Sequence, residues 1–194
     1  MDPSHARPRR TLLRGATVVS VDPAIGNVDR ADILICDDLI AGIDARIDVE
    51  PDVEVVDVGG MIALPGFVDT HRHTWQSVMR HGYAELDPLQ YFDEMLRGIG
   101  AGYEPEDVRI GNLLGAVSAL SAGTTTLFDW SHIQNSPEHS DAAVTGLREA
   151  GIRAVFGHGW PLQGNGRWTE NSMLTHPADI ERLQKEHFSD PGDS

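Results

Sequence analysis

The chain has 194 residues, and its 40% hydrophobic content is enough to build the core of one large domain, or of one domain with a small companion. It carries 30 acidic and 15 basic residues, which gives a formal net charge of −15. Affinity for a nucleic-acid backbone comes from lysine and arginine, so this charge argues against a nucleic-acid partner. No run of about 18 apolar residues occurs, and the sequence therefore predicts no membrane span.

The only cysteine, Cys36, lies in an apolar run and cannot form an internal disulfide. It is predicted to be a buried structural thiol. No signal-peptide pattern precedes it, because Arg14 interrupts the first apolar residues before a core of about 7–15 residues can form. Together these observations favour a reducing, cytoplasmic location.

Residues 1–64 read as a small β domain. Four strand-like runs occur without a helix between them, at residues 17–21, 32–35, 39–43 and 53–58. Asp37 and Asp38 separate the second run from the third and predict a two-residue hairpin turn.

Residues 65–194 are predicted to form the second domain, and from residue 62 onward strands alternate with helices. Strands are predicted at residues 62–68, 124–130 and 152–156, and helices at residues 105–121, 137–150 and 177–187. Such alternation predicts an α/β fold of parallel strands with right-handed crossovers. Helical spacing also predicts that the first helix packs on the sheet through Leu113, Leu114, Val117 and Leu120. Three such units cannot close a barrel, so we expect the polar end of the chain to lead into a further strand.

The motif PGFVDTHRH at residues 65–73 places two histidines at the end of the first of these strands. Side chains alternate along a strand, so Asp69, His71 and His73 share one face. Alternate Cα atoms lie about 6.6 Å apart, a spacing from which two imidazoles can reach one zinc ion at about 2.0–2.1 Å. His71 and His73 are therefore candidate metal ligands, with Asp69 holding a ligand's remaining N–H. The alternative is a strand that merely ends in exposed or core histidines.

Other candidate site residues follow the same strand ends. Trp75 and Gln76 come directly after the histidine pair and could grip a flat heteroaromatic ring, although Trp75 could equally pack beneath its loop. His158 ends the third strand between two glycines and is a candidate substrate contact, the alternative being a hydrogen-bonded structural histidine. Weaker candidates are Asp129, Trp130 and His132 at the end of the second strand, Arg80 and His81, and a possible lid at residues 164–168.

Several segments together resemble the amidohydrolase superfamily, in its branch of cytosine deaminases, guanine deaminases and triazine hydrolases. They are PGFVDTHRH at residues 65–73, ADILI at 31–35, IAGI at 40–43, SAGTTT at 121–126 and LREAGIRA at 147–154. The resemblance extends from about residue 11 to residue 160.

The resemblance implies a (β/α)₈ barrel that carries a small β-sandwich built from both chain ends. It implies one divalent metal, zinc or iron, bound by His71, His73, two later histidines and an aspartate. It also implies that activated water attacks an sp² carbon of a small-molecule substrate, a nitrogen heterocycle or an amide, and cleaves a carbon–nitrogen bond. A homo-oligomer is compatible with it.

This sequence departs from the family pattern because positions for the later ligands and the general acid/base are not found in it. The resemblance therefore covers only the first three strand-helix units of the barrel, and we expect no turnover from these 194 residues alone. The sole lysine, Lys185, lies on a predicted helix and gives no support to a two-metal site. Two alternatives remain open: a truncated, non-catalytic scaffold protein, and a small metal-binding module.

Overall fold

A computed structural model describes residues 9–159 and 176–189 of the chain. The chain divides into two compact units, Met1–Pro65 and Gly66–Ser194. Within the described residues, no helix combines the length and the apolar character that crossing a membrane would need.

The first unit is a five-stranded sheet. Its strands are β1 (Arg10–Val19), β2 (Asn27–Cys36), β3 (Leu39–Asp44), β4 (Glu54–Asp57) and β5 (Ile62–Ala63). Their order is β3-β2-β1-β4, and β5 also pairs with β1. The hairpins β1–β2 and β2–β3 are antiparallel, whereas β4 and β5 run parallel to β1. One face buries a small core of Ala16, Val18, Ala31 and Ile33.

The predicted turn between β2 and β3 is confirmed. Cys36 pairs with Leu39, so Asp37 and Asp38 alone connect the two strands. Asp37 adopts a φ of 53°, and its carboxylate accepts a hydrogen bond from the backbone N–H of Arg9. The prediction for Cys36 was wrong: the thiol is only partly buried, because this residue is the last of its strand and borders the turn.

The single strand predicted over residues 62–68 is two strands in different sheets. Ile62 and Ala63 pair with β1, and β6 (Phe67–Arg72) begins a separate sheet in which the N–H of Phe67 donates to the carbonyl of Gly123. Pro65 stands between the two strands and has no N–H to offer a ladder. The expected burial was also wrong, since Phe67 and Val68 are both exposed.

The second unit alternates strands and helices as the sequence predicts. After β6 come a 3₁₀ helix (Thr74–Met79), α1 (Pro88–Gln90), a π-helix (Tyr91–Ile99), a 3₁₀ turn (Gly100–Gly102), α2 (Pro105–Ser121), β7 (Thr124–Ser131), α3 (Pro137–Ala150), β8 (Arg153–His158) and α4 (His176–His187). The strands form one parallel sheet in the order β6-β7-β8. The helices predicted at 105–121 and 137–150 are confirmed at both ends.

The buried face of α2 differs from the prediction. Leu114 and Val117 are 44% and 45% exposed, and Leu113 and Leu120 are half-buried. The helix instead buries Val108, Gly111, Asn112, Gly115, Ala116 and Ala119. These are mostly small residues, and they let the helix come very close to the 3₁₀ helix after β6: a Cβ on Gly111 would lie 2.4 Å from the backbone oxygen of Trp75.

The segment between β6 and α2 was not predicted to contain helices. Its π-helix and 3₁₀ helix contribute to the main core of the second unit, in which Trp75 packs against Met95, Leu96, Val108, Ile133 and Ala143. Because Trp75 is only two residues after His73, this core fixes the loop that follows the candidate metal ligands.

Candidate metal site

The structure brings the two predicted metal ligands together. His71 lies in β6 and His73 immediately follows the strand, at the N-cap of the 3₁₀ helix. Their ring centroids are 4.9 Å apart. The pair occupies the carboxyl end of a parallel strand, where α/β proteins place their ligands.

His73 is held in the form that a metal ligand requires. Its Nδ1 lies 2.8 Å from the carbonyl oxygen of Trp130 on β7, and because a carbonyl can only accept, Nδ1 carries the proton. The lone pair of the neutral ring is then on Nε2. A backbone carbonyl that orients a ligating histidine in this way is a recurrent feature of metal sites. Burial lowers the pKa of His73, and so does the nearby His71, whereas the hydrogen bond to the carbonyl of Trp130 raises it. The net effect is a lowered pKa, which keeps the ring neutral near pH 7.

The turn after His73 is anchored by a buried carboxylate. Asp129 accepts a hydrogen bond from the backbone N–H of Thr74 at 3.0 Å and one from the side-chain amide of Asn112 at 3.3 Å. The same amide donates to the carbonyl of Ala143 on α3. Burial raises the pKa of Asp129 to about 6, although these hydrogen bonds oppose the shift. Asp129 therefore links the turn to α2 and α3.

A third histidine lies against the pair. The ring of His132 stacks on that of His73, with centroids 4.1 Å apart and an angle of 16° between the planes. The indole N–H of Trp75 donates to Nδ1 of His132 at 3.0 Å. Burial, and then the neighbouring His73 and His71, lower the pKa of His132 to about 3, so this ring is neutral as well.

The three histidines do not make a compact three-ligand site. Within residues 9–159 and 176–189, only Asp141, Glu186 and His187 have ligand atoms that all lie within 4.8 Å of one another. That cluster already contains a cation, because Arg182 lies 2.8 Å from Asp141 and 2.7 Å from Glu186. It is an ion-pair network between α3 and α4.

Trp75 is placed as the alternative predicts, packed beneath its loop, whereas substrate contact stays a prediction for Gln76. The side chain of Trp75 is 0% exposed, so no face of its ring is available to a substrate. The amide of Gln76 donates to the hydroxyl of Tyr91 at 2.6 Å. The structure thus corrects the prediction for Trp75: the indole is part of the core because the small residues of α2 leave room for it.

Asp69 also differs from its predicted role. Its carboxylate accepts from the backbone N–H of His71 at 3.1 Å and pairs with Arg72 at 3.1 Å. It therefore stabilises the end of the strand through the main chain. The carbonyl of Trp130 has the orienting role that the sequence suggested for this carboxylate.

His158 lies in a different cluster from the histidine pair. Its side chain is 5% exposed, and its Nε2 is 2.8 Å from Asp179 of α4 and 3.2 Å from the hydroxyl of Ser140. Arg182 pairs with the same carboxylate. Contact with a substrate stays a prediction for His158, and in this arrangement Nε2 is already engaged.

Trp130 was one of the weaker candidates, and it is the aromatic side chain beside the pair. It is 42% exposed, and its ring centroid lies 5.3 Å from that of His71 and 6.4 Å from that of His73. The possible lid at residues 164–168 lies outside the described residues.

The histidine pair lies at the carboxyl end of a parallel α/β sheet, where such folds bind their ligands, and imidazole nitrogen is a ligand that zinc favours. Residues 62–188 match the model of the amidohydrolase family. The chain belongs to this metal-dependent family, as its motifs indicated.

Named relatives agree with this assignment. The chain is 27% identical over 159 residues to the 5-methylthioadenosine/S-adenosylhomocysteine deaminase of Thermococcus kodakarensis, a match that covers 82% of the chain and 36% of the relative. It is 32% identical over 153 residues to the 5'-deoxyadenosine deaminase of Methanobrevibacter smithii, covering 79% of the chain and 34% of the relative. The chain thus spans about a third of the length of the curated relatives it matches.

Solved structures give the same result for the fold. A mutant atrazine chlorohydrolase from Arthrobacter aurescens, complexed with zinc and atraton, superposes with a TM-score of 0.77 at 22% identity, over 91% of this chain and 43% of that one. A triazine hydrolase from Arthrobacter aurescens superposes with a TM-score of 0.65 at 26% identity, over 76% of this chain and 35% of that one.

Proposed function

We propose that this chain is the N-terminal part of a metal-dependent hydrolase that removes an amino group from a nitrogen heterocycle. In this proposal β6, β7 and β8 are the first three strands of a (β/α)₈ barrel, and His71 and His73 hold one divalent metal ion, zinc in preference to iron. Two of the relatives are named as deaminases of adenosine derivatives, so an amino-purine nucleoside is the proposed substrate. A cytoplasmic location and a homo-oligomeric state remain predictions.

One observation carries the metal assignment: the Nδ1–H of His73 is bound by a backbone carbonyl while its ring lies 4.9 Å from that of His71. The donor set fits zinc, which favours imidazole nitrogen. When bound, such a metal lowers the pKa of a coordinated water towards about 7 and polarises the substrate.

The chain's own residues hold this arrangement in place. The carbonyl of Trp130 fixes the orientation of the His73 ring, and Asp129 pins the backbone of Thr74 immediately after it. The exposed indole of Trp130 offers a flat wall to an aromatic ring.

Zinc titration of the purified chain by calorimetry tests the metal site. We expect saturable binding of one equivalent, weakened by more than about 100-fold in H71A and H73A, because losing a ligand costs more than losing an orienting partner. The matched control is H81A, which removes an exposed histidine of the loop that follows. Equal zinc affinity in H73A and H81A would exclude the assignment.

A second assay addresses catalysis. Ammonia release from 5'-deoxyadenosine by the zinc-loaded chain is expected to be absent, because a catalytic zinc normally takes three protein ligands and the described residues offer two at this site. Metal-dependent turnover by the isolated chain would contradict the proposal that these residues need the rest of a barrel. Failure to bind zinc would instead favour the non-catalytic scaffold.

A further inference from the structure

His132 is the polar side chain beside the metal pair that the proposed function leaves without a role. Its ring stacks on His73, so any metal or substrate at the pair is close to it. Its two ring nitrogens have different surroundings, and these surroundings decide what the ring can offer to a ligand.

The indole N–H of Trp75 can only donate, so the Nδ1 of His132 that it contacts at 3.0 Å must be an acceptor. A neutral imidazole that accepts at Nδ1 carries its proton at Nε2. This is the opposite tautomer from that of His73, whose Nδ1 donates to the carbonyl of Trp130. The two stacked rings therefore present opposite chemistry: a lone pair from His73 and an N–H from His132.

Trp75 is well suited to fix the tautomer of His132. The indole is fully buried against Met95, Leu96, Val108 and Ile133, so it cannot rotate away from its acceptor. Within the part of the chain that the structure describes, no acceptor is found for Nε2 of His132. The Nε2–H group of His132 is therefore still able to donate a hydrogen bond. His132 is only partly buried, so a ligand can approach this group.

Building on the proposed function, we infer that His132 is not a third metal ligand but a neutral Nε2–H donor for the substrate, with Trp75 as its positioning residue. Its partner is a lone-pair acceptor, the ring nitrogen of a flat heteroaromatic ligand that packs on the exposed face of Trp130. The failure of the three histidines to form a compact ligand set agrees with this assignment. An aromatic ring stacked on indole and bonded at one edge would be both oriented and selected.

Long-range ¹H–¹⁵N correlation spectra of the histidine rings in the ¹⁵N-labelled chain test this inference directly. At neutral pH we expect His132 as the Nε2–H tautomer and His73 as the Nδ1–H tautomer. Adding zinc should shift the Nε2 signal of His73 and leave the tautomer of His132 unchanged. Zinc ligation by His132, or an Nδ1–H tautomer in the free chain, would overturn the inference.

Adenine provides the ligand test, with naphthalene as a flat control that has no ring nitrogen. Adenine is expected to shift the Nε2–H resonance of His132 in the zinc-loaded chain, and naphthalene is not. An unchanged resonance with adenine would contradict the donor role. W75F should release the tautomer of His132 and weaken adenine binding to the zinc-loaded chain at least several-fold, as measured by calorimetric titration. H132F should weaken adenine binding at least as much while leaving zinc affinity within about twofold.

The wild-type spectra need no substitution, so they decide the tautomer even where W75F folds poorly. They also separate the two proposals. Loss of zinc binding at His71 and His73 would defeat the proposed function while the tautomer of His132 in the free chain is still measured. A ligating His132 would defeat the inference and leave the metal site intact.

Discussion

The carboxyl ends of β6 and β8 each carry a histidine, but these two ends of the sheet have different chemistry. At β6, His73 uses one ring nitrogen to bind a backbone carbonyl and keeps the lone pair of the other. At β8, His158 is buried with Nε2 between a carboxylate and a hydroxyl. The difference shows that a histidine at a strand end is not in itself a ligand. The groups that its neighbours present to the ring decide between a metal site and a structural network.

The largest expected contrast comes from removing each histidine in turn. H73A should lower zinc affinity by more than about 100-fold and the free energy of unfolding by only about 1 kcal/mol. H158A should do the reverse. It should lower the free energy of unfolding by about 2–3 kcal/mol, because it leaves a mostly buried Asp179 with fewer partners, and it should leave zinc affinity nearly unchanged.

Urea unfolding and zinc calorimetry on the same two variants measure this contrast. A loss of zinc affinity in H158A that matches the loss in H73A would show that the two strand ends form one site. That result would support a role for His158 in ligand binding.

The pH dependence of stability should distinguish Asp129 from the network at β8. Burial raises the pKa of Asp129 to about 6, so its protonated form is favoured by folding. The stability that it contributes is complete below the unfolded pKa near 4 and is lost as the pH rises through 6. Relative to D129N, the wild-type chain should therefore lose about 3 kcal/mol between pH 4 and pH 7.

Asp179 should show the opposite sign. Burial alone would raise its pKa, but hydrogen bonds from Ser140, His158 and Arg182 hold it below the usual range. Its contribution is present above the unfolded pKa and disappears as the pH falls through the lowered folded value. Unfolding curves of the wild type, D129N and D179N at several pH values separate the two effects. His73 and His132 also have lowered pKa values, but they are present in all three proteins, so their contribution cancels in the comparison. A difference between the wild type and D129N that does not change with pH would refute the assignment for Asp129.

Close packing of α2 should affect the end of β6 where metal binding is proposed. A methyl group at Gly111 would lie 2.4 Å from the carbonyl oxygen of Trp75, so G111A should cost about 1–3 kcal/mol of stability and also weaken zinc binding by displacing the turn. The control is G102A, because a Cβ there has nothing within 4 Å. Unchanged zinc affinity in a destabilised G111A would show that the pair does not depend on this packing.

The smallest effect is expected from the hydrogen bond between Gln76 and Tyr91. Y91F should cost about 1 kcal/mol by chemical denaturation and leave zinc affinity unchanged. In the Y91F/Q76A double variant the two losses should not add, since both remove the same bond. Additive losses would mean that the two side chains contribute independently.

The sequence was a good guide to elements with strong local signals. Prolines at the first turns of α2 and α3 and glycines beyond their ends defined both helices. The alternation of strand residues placed His71 and His73 side by side. The family motifs identified the amidohydrolase family, because they combine these elements with specific residues at their junctions.

Long-range contacts account for most of what the sequence did not predict. Leucine spacing on α2 indicated the wrong face, because the small residues at 111, 115, 116 and 119 let this helix approach its neighbours; their spacing of three to four positions was the available signal. The opposite tautomers of His73 and His132 depend on partners 57 residues away in the chain. No local pattern contains that information.

The central claim is that His71 and His73 hold the metal, and replacing zinc with paramagnetic Cu²⁺, which like zinc favours imidazole nitrogen, tests it most directly. Within the described residues the competing location is the cluster of Asp141, Glu186 and His187. We expect line broadening in the NMR spectrum to centre on His71, His73 and the neighbouring Trp130, and to vanish in the H71A/H73A double variant. Broadening centred on Asp141 and His187, and retained in that double variant, would contradict the account.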